Sequence, residues 1–208
     1  MSDKIEVIVF DIGGVLTKTS HKEFYLKLDR LAKEYNIDPN IFERLRIKYS
    51  KSSSLGKLSD EEFKRRILNE LGVKNKGDFT EKWDNSLYQC MKINLGVYFL
   101  ISKLKKNYII VSFSNVTPMF HKIRLKNKVY DLFHLNFLSH QYGLKKPSIN
   151  FYKTLIKKVD VPTNRMIFVD DREENLVPAK KLGMKVILFK NNKQLIGDLK
   201  KLGIKINN

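Results

Sequence analysis

Cysteine is nearly absent from this chain of 208 residues. Cys90 stands alone, so no intrachain disulfide can form, which suits a reducing compartment. Long apolar runs are missing as well. No stretch of about 18 apolar residues occurs, which excludes a transmembrane helix. Glu6 interrupts the apolar segment near the N-terminus, Ile5 to Phe10, so no secretory signal is expected. The chain therefore reads as soluble and cytoplasmic, with no membrane partner. Acids are scarce: 22 Asp and Glu face 40 Lys and Arg, for a formal net charge of +18. Such a field concentrates anions, whether phosphate esters or nucleic acid. The basic residues are dispersed, however, as at Lys64 to Arg66, Lys103 to Lys106, Lys122 to Lys128 and Lys200-Lys201. No arginine-rich block, zinc-finger spacing or aromatic RNA-binding signature accompanies them. Charge alone admits a nucleic-acid partner; the pattern does not favour one.

What is present is enough to build a core. A hydrophobic content of 42%, with 11% aromatics, argues for a globular protein rather than a disordered one. The length allows one domain with an insertion, or two small ones. Val7 to Phe10 is an apolar run fit for a buried strand. From about residue 20 to 93 the pattern is helical, with no convincing strand. Phe24, Leu26, Leu28, Leu31 and Tyr35 have amphipathic spacing, and Asp38-Pro39 opens a second helix. Ser59 and Glu62 have the spacing of a capping box before Phe63, Ile67, Leu68 and Leu71. A fourth helix is expected over Thr80 to Met91, with Trp83, Leu87 and Tyr88 facing inward.

Beyond residue 94 helices and short apolar strands alternate. Strands are expected at Tyr108–Phe113, Leu135–Leu138, Met166–Val169 and Val186–Phe189, and helices at Tyr98–Leu104, Asn150–Lys158, Leu176–Leu182 and Lys193–Leu202. Alternation of this kind predicts an α/β fold with a parallel sheet covered on both faces. The first strand belongs to that sheet, so the helical segment is an insertion.

Four segments at predicted strand ends carry side chains suited to chemistry, and a parallel sheet brings such ends to one edge. Asp11 follows the first strand and is followed by Gly13-Gly14, where the backbone can turn sharply and approach a ligand. Ser114 and Asn115 follow the strand ending at Phe113; the hydroxyl can donate to an anionic oxygen and the amide can orient the loop. Lys146 precedes Pro147, which favours an extended backbone, and its ammonium suits a phosphate or a nucleophilic carboxylate. Asp170 and Asp171 follow Val169, and adjacent acids there repel unless a cation relieves them. Hard oxygen donors of this kind suit Mg²⁺.

Together the four segments, in order and at plausible spacing, resemble the haloacid dehalogenase-like (HAD) hydrolase superfamily. The resemblance covers the whole chain. It implies a Rossmann-like parallel-sheet core over residues 1–18 and 94–208, with a helical cap of the C1 type inserted over 19–93. The stretch Gly56-Lys57-Leu58-Ser59-Asp60-Glu61-Glu62-Phe63 falls in that cap. By the resemblance Asp11 is the nucleophile, Ser114 the phosphate-binding hydroxyl and Lys146 the phosphate-facing cation, with Asn115 beside the substrate. Asp11, the Gly13 carbonyl, Asp170 and Asp171 would hold Mg²⁺, and Asn175 occupies an outer position. The implied activity is Mg²⁺-dependent hydrolysis of a small phosphorylated metabolite through an aspartyl-phosphate.

One position departs from the pattern. Most HAD phosphatases carry Asp two residues after the nucleophile as general acid and then base; here that residue is Gly13. Such a group contributes about 10²- to 10⁴-fold, so another acid, such as His21 from the cap, is needed or the leaving group must be a good one. Two readings compete with the phosphatase. A 2-haloacid dehalogenase uses the same nucleophile on carbon without metal, which would leave the repulsion of Asp170 and Asp171 unrelieved. A catalytically weak HAD-like binding module, for instance for nucleic acid, draws support from Gly13 and the net charge.

Overall fold

Val7–Phe10 forms the central strand, β1, and all four side chains are buried. They divide between two cores as strand alternation requires. Ile8 and Phe10 join one apolar cluster, with Val97, Ile101, Leu195 and Leu199. Val7 and Val9 join another, with Phe113, Phe151, Tyr152 and Phe168. The computed structural model describes residues 4–19 and 21–206, apart from the side chain of His21.

After β1 the chain runs through β2 (Thr17–Thr19), α1 (His21–Glu34), α2 (Pro39–Ser54), α3 (Asp60–Glu70), α4 (Lys76–Cys90) and β3 (Met91–Ile93). It continues through α5 (Leu95–Leu104), β4 (Ile109–Ser114), α6 (Pro118–Lys126), β5 (Leu135–Leu138), α7 (Ser139–Tyr142) and α8 (Ile149–Val159). The last elements are β6 (Met166–Asp170), α9 (Glu173–Lys181), β7 (Lys185–Leu188) and α10 (Asn192–Lys201). Among the described residues the main sheet has five strands in the order β5-β4-β1-β6-β7. All its pairings are parallel. With β4 and β6 flanking β1, the residues after all three strands meet at one edge, the usual place for ligands in open α/β sheets.

Helices α1 to α4 lie between β2 and β3 in the chain and have their own core, built on Phe24, Leu28, Phe42, Phe79 and Trp83. Met119 and Ile123 of α6 complete it from the other side. Local chemistry starts these helices. The Asp38 carboxylate accepts from Asn40 N at 2.8 Å ahead of α2, and Ser59 Oγ accepts from Glu62 N at 3.1 Å ahead of α3. No helix among the described residues is long and apolar enough to cross a membrane.

Three expectations need correction. β3 forms a strand at the end of the segment expected to be helical to residue 93, pairing antiparallel with β2 just before that segment, Thr17 opposite Ile93. Leu26 is 50% exposed: Phe24, Leu28 and Leu31 make the buried stripe of α1, and Leu26 lies on the opposite face. Tyr88 is exposed too. It sits one position past the stripe of Phe79, Trp83 and Leu87, and its ring receives Lys126 Nζ at 4.6 Å from the centroid.

Candidate active site

Asp11 continues β1 at the sheet edge, its backbone N–H donating to Val169 O at 2.8 Å. The carboxylate is buried. Oδ1 accepts from Ile12 N at 2.7 Å and lies 3.1 Å from Lys146 Nζ. Oδ2 makes no hydrogen bond among the described residues. The chain then turns through residues 12–17, with Thr17 N donating to Ile12 O and Gly14 N to Thr17 O. Gly14 has φ +82°, and a Cβ built on it would fall inside the carboxylate of Asp171. Glycine is required there for both reasons.

Lys146 reaches Asp11 across a separation of 135 residues because Asn115 holds its backbone. Asn115 Oδ1 accepts from Lys146 N at 2.8 Å, and Asn115 Nδ2 donates to Lys146 O at 2.9 Å. Its ammonium then donates to Asp170 Oδ2 at 2.6 Å and lies against the rings of Phe113 and Phe168. Lys146 is thus buried with two carboxylate partners, which is what a buried cation needs.

Asp170 is fully buried and fully satisfied. Oδ1 accepts from Arg172 N at 2.9 Å, and Asn175 Nδ2 donates to both oxygens at 3.0 and 3.1 Å. Asn175 is fixed in turn by Tyr152, whose hydroxyl donates to its carbonyl at 2.6 Å. Asp171 is more open. One carboxylate oxygen from each of Asp11, Asp170 and Asp171 lies within 4.8 Å of the other two. Burial pushes the Asp11 carboxyl above its ordinary value; Lys146 opposes the shift and Asp170 adds to it. Burial likewise raises Asp171, with Asp11 and Asp170 adding to the effect. Three hard oxygen donors that repel one another fit a small divalent cation of the Mg²⁺ type.

These groups face a cavity of about 770 Å³. Asp11, Gly13, Asn115, Lys146, Asp171 and Asn175 line it, joined by Lys18 and Thr19 of β2 and by Ser54 at the end of α2. Ser54 also ties the helical segment to the sheet edge, its carbonyl accepting from Ser139 Oγ at 2.8 Å. Ser114 is absent from the lining. It is buried at the end of β4, where its Oγ accepts from Arg124 Nη1 at 3.1 Å. Arg124 of α6 does line the cavity. Sequence reasoning passed over it as one basic residue in a dispersed group. The available signal was helical spacing: Arg124 stands one turn after Phe120, next to the apolar Ile123. The His21 side chain, proposed as a replacement acid, lies outside the described residues.

Sequence comparison identifies the family. A family model described as haloacid dehalogenase-like hydrolase matches residues 5–183. The chain is a haloacid dehalogenase-like hydrolase. A sesquiterpene phosphatase of Aspergillus oryzae is 27% identical to this hydrolase over 188 residues, covering 88% of this chain and 89% of that protein. The D-ribitol-5-phosphate phosphatase of Bacteroides thetaiotaomicron is 24% identical over 201 residues, covering 90% and 93%. A crystal structure of an HAD family enzyme from Bacteroides thetaiotaomicron, in complex with magnesium and inorganic phosphate, has a TM-score of 0.77 to this hydrolase. Its identity is 22%, and the match covers 89% of this chain and 94% of that one, which shows a common fold.

Proposed function

We propose that this hydrolase is a Mg²⁺-dependent phosphatase of small phosphorylated metabolites, with Asp11 as its nucleophile. One observation carries the reading: the Asp11, Asp170 and Asp171 carboxylates converge beside a cavity that Asp11 and Asp171 line, with the Lys146 ammonium between Asp11 and Asp170. Phosphatases among the relatives support it. A metal-free dehalogenase would leave the repulsion among the three acids to Lys146 and, without ion-pair contact, Arg124.

Asp11, the Gly13 carbonyl, Asp170 and Asp171 would hold the metal. When bound, Mg²⁺ supplies positive charge against the phosphoryl oxygens. An Asp11 oxygen attacks phosphorus in line; the P–O bond to the leaving group breaks and its electron pair departs on that oxygen. Water then attacks the aspartyl-phosphate at phosphorus, freeing inorganic phosphate and restoring the carboxylate. Lys146 opposes the rise that burial imposes on the Asp11 carboxyl, and it faces the charge on the transferring group. Asn115 and Asn175 hold the Lys146 backbone and the Asp170 carboxylate in place. Gly13 supplies no proton to the leaving group, so turnover should rise steeply with leaving-group acidity. Aryl and acyl phosphates should be preferred over alkyl phosphates.

The test is phosphate release from a panel of phosphorylated metabolites, with and without Mg²⁺. Lys146→Ala should cut turnover heavily and Lys145→Ala should change it little; equal effects would contradict the assigned roles. The binding-module reading, favoured by Gly13, predicts no release from any member of the panel.

A further inference from the structure

The two cations that face Asp11 are partnered very differently. Lys146 has two carboxylates within ion-pair distance. Arg124 is only 5% exposed, and among the described residues no carboxylate lies within ion-pair distance of it. Nη1 donates to the Ser114 hydroxyl, the neutral Tyr130 phenol lies against the guanidinium, and Nε is buried with no hydrogen-bond partner. Nη2 points to Gly13: a Cβ built on that residue would sit 3.3 Å from it. A guanidinium cannot shed its charge by deprotonation. A buried, unpaired, permanent cation on a cavity wall is costly unless an anion completes it.

Resting on the phosphatase reading, we infer that Arg124 is a catalytic residue of this hydrolase: it binds the non-bridging phosphoryl oxygens, opposite Lys146. Ser114 lies behind it, so the contact that sequence assigned to the hydroxyl passes to the guanidinium. Ser114 becomes a positioning residue that holds Nη1 and leaves Nη2 for the ligand. Nη2 brings N–H donors on a permanent cation, a stronger partner for a phosphoryl oxygen than one neutral hydroxyl. The absence of an acid at position 13 then has a structural reason. A carboxylate there would meet Arg124 first and pair with it, withdrawing the cation from the phosphoryl group. Gly13 and Arg124 are a matched pair, and Gly13→Asp alone should damage the site rather than restore an acid.

Inorganic phosphate is the probe, titrated calorimetrically in the presence of Mg²⁺. The protein is the Asp11→Asn variant, which cannot form the aspartyl-phosphate. Arg124→Met in that background should weaken phosphate binding about ten- to a hundredfold, the worth of one charged hydrogen-bonding group. It should also raise Tm by a few degrees, because an unpaired buried charge has been replaced by an apolar side chain of similar length. Gly13→Asp should weaken phosphate binding comparably, and the Gly13→Asp/Arg124→Met double variant should be no weaker than the worse single one. Unchanged phosphate affinity in Arg124→Met, or a fall in Tm without a binding defect, would overturn the assignment and make Arg124 structural. So would the lack of any phosphate binding to Asp11→Asn. The hydrolytic reading is judged separately by phosphate release from wild type, so the two can fail independently.

Discussion

Gly14 leaves no room for a side chain because the Asp171 carboxylate occupies the space where its Cβ would be. The turn after Asp11 and the outermost acid of the cluster are therefore set against each other directly. Gly14→Ala adds two penalties, a backbone held at φ +82° and the displacement of Asp171. The backbone term alone costs about 1–2 kcal/mol. The larger effect should be on the metal: Mg²⁺ titration of activity should show a weakened apparent affinity, with turnover reduced even at saturation.

Asn115 should matter out of proportion to its own contact with the cavity. Its amide satisfies both the N–H and the carbonyl of Lys146. Asn115→Ala frees that peptide and lets the ammonium drift from Asp11. A loss of about 1–2 kcal/mol in stability is expected for the two hydrogen bonds. Turnover should fall by more than that figure implies, about 100-fold, since a small misplacement of a charge-bearing group is expensive. The measurement is kcat beside Tm, and a loss confined to KM would argue instead for direct substrate binding by Asn115.

The helical segment contains a buried ion pair that composition would place on the surface. Lys64 Nζ lies 2.7 Å from Asp60 and 2.6 Å from Asp84, and Lys64 and Asp60 are both buried. Burial raises the Asp60 carboxyl; Lys64 meets its Oδ2, and Oδ1 has no hydrogen-bond partner. Lys64→Met should cost about 3 kcal/mol by stranding that charge, whereas Asp60→Asn/Lys64→Met should recover most of the loss. Trp83, the one tryptophan of the sequence, is fully buried in the core of the same helices, so its fluorescence reports the transition directly.

Acid should destabilise the region behind Arg124. The His121 and His140 rings lie 4.7 Å apart between centroids. Burial holds both imidazoles below their ordinary value of 6.5, and His140 and Arg124 lower His121 further. The unfolded chain takes up these protons more readily than the folded one. Their contribution to stability is therefore complete above about pH 6.5 and is lost as the pH falls through the lowered folded values. Denaturation followed from about pH 8 to pH 5 should show that decline, and His121→Gln should flatten it. Tyr130, whose ring lies 5.1 Å from that of His121, titrates far above this window because burial raises its phenol.

Much of the sheet and its edge was legible in the sequence because apolar strands ending in polar side chains leave a strong mark. The expected Leu135–Leu138 strand is β5, and the others begin or end within one residue of the observed limits. β2 and β3 were not legible. Three residues each, with Lys18 and Lys92 at their centres, are too short to show a period of two. Arg124 and Lys64 were hidden for a different reason. A buried cation and a solvated one have the same letter, and only tertiary neighbours such as Gly13, Ser114 and Asp60 tell them apart. Leu26 and Tyr88 show the converse, apolar side chains that lie off the buried stripe of their helices.

The most direct measurement of the central claim is phosphate release at fixed enzyme concentration from aryl, acyl and alkyl phosphates. Wild type and Asp11→Asn are compared, each with Mg²⁺ and with the metal chelated. Release is expected from wild type with Mg²⁺ only, fastest for the acyl and aryl compounds, and none above background from Asp11→Asn. Release that survives Asp11→Asn or chelation, or a wild type inert toward every compound, would contradict the claim.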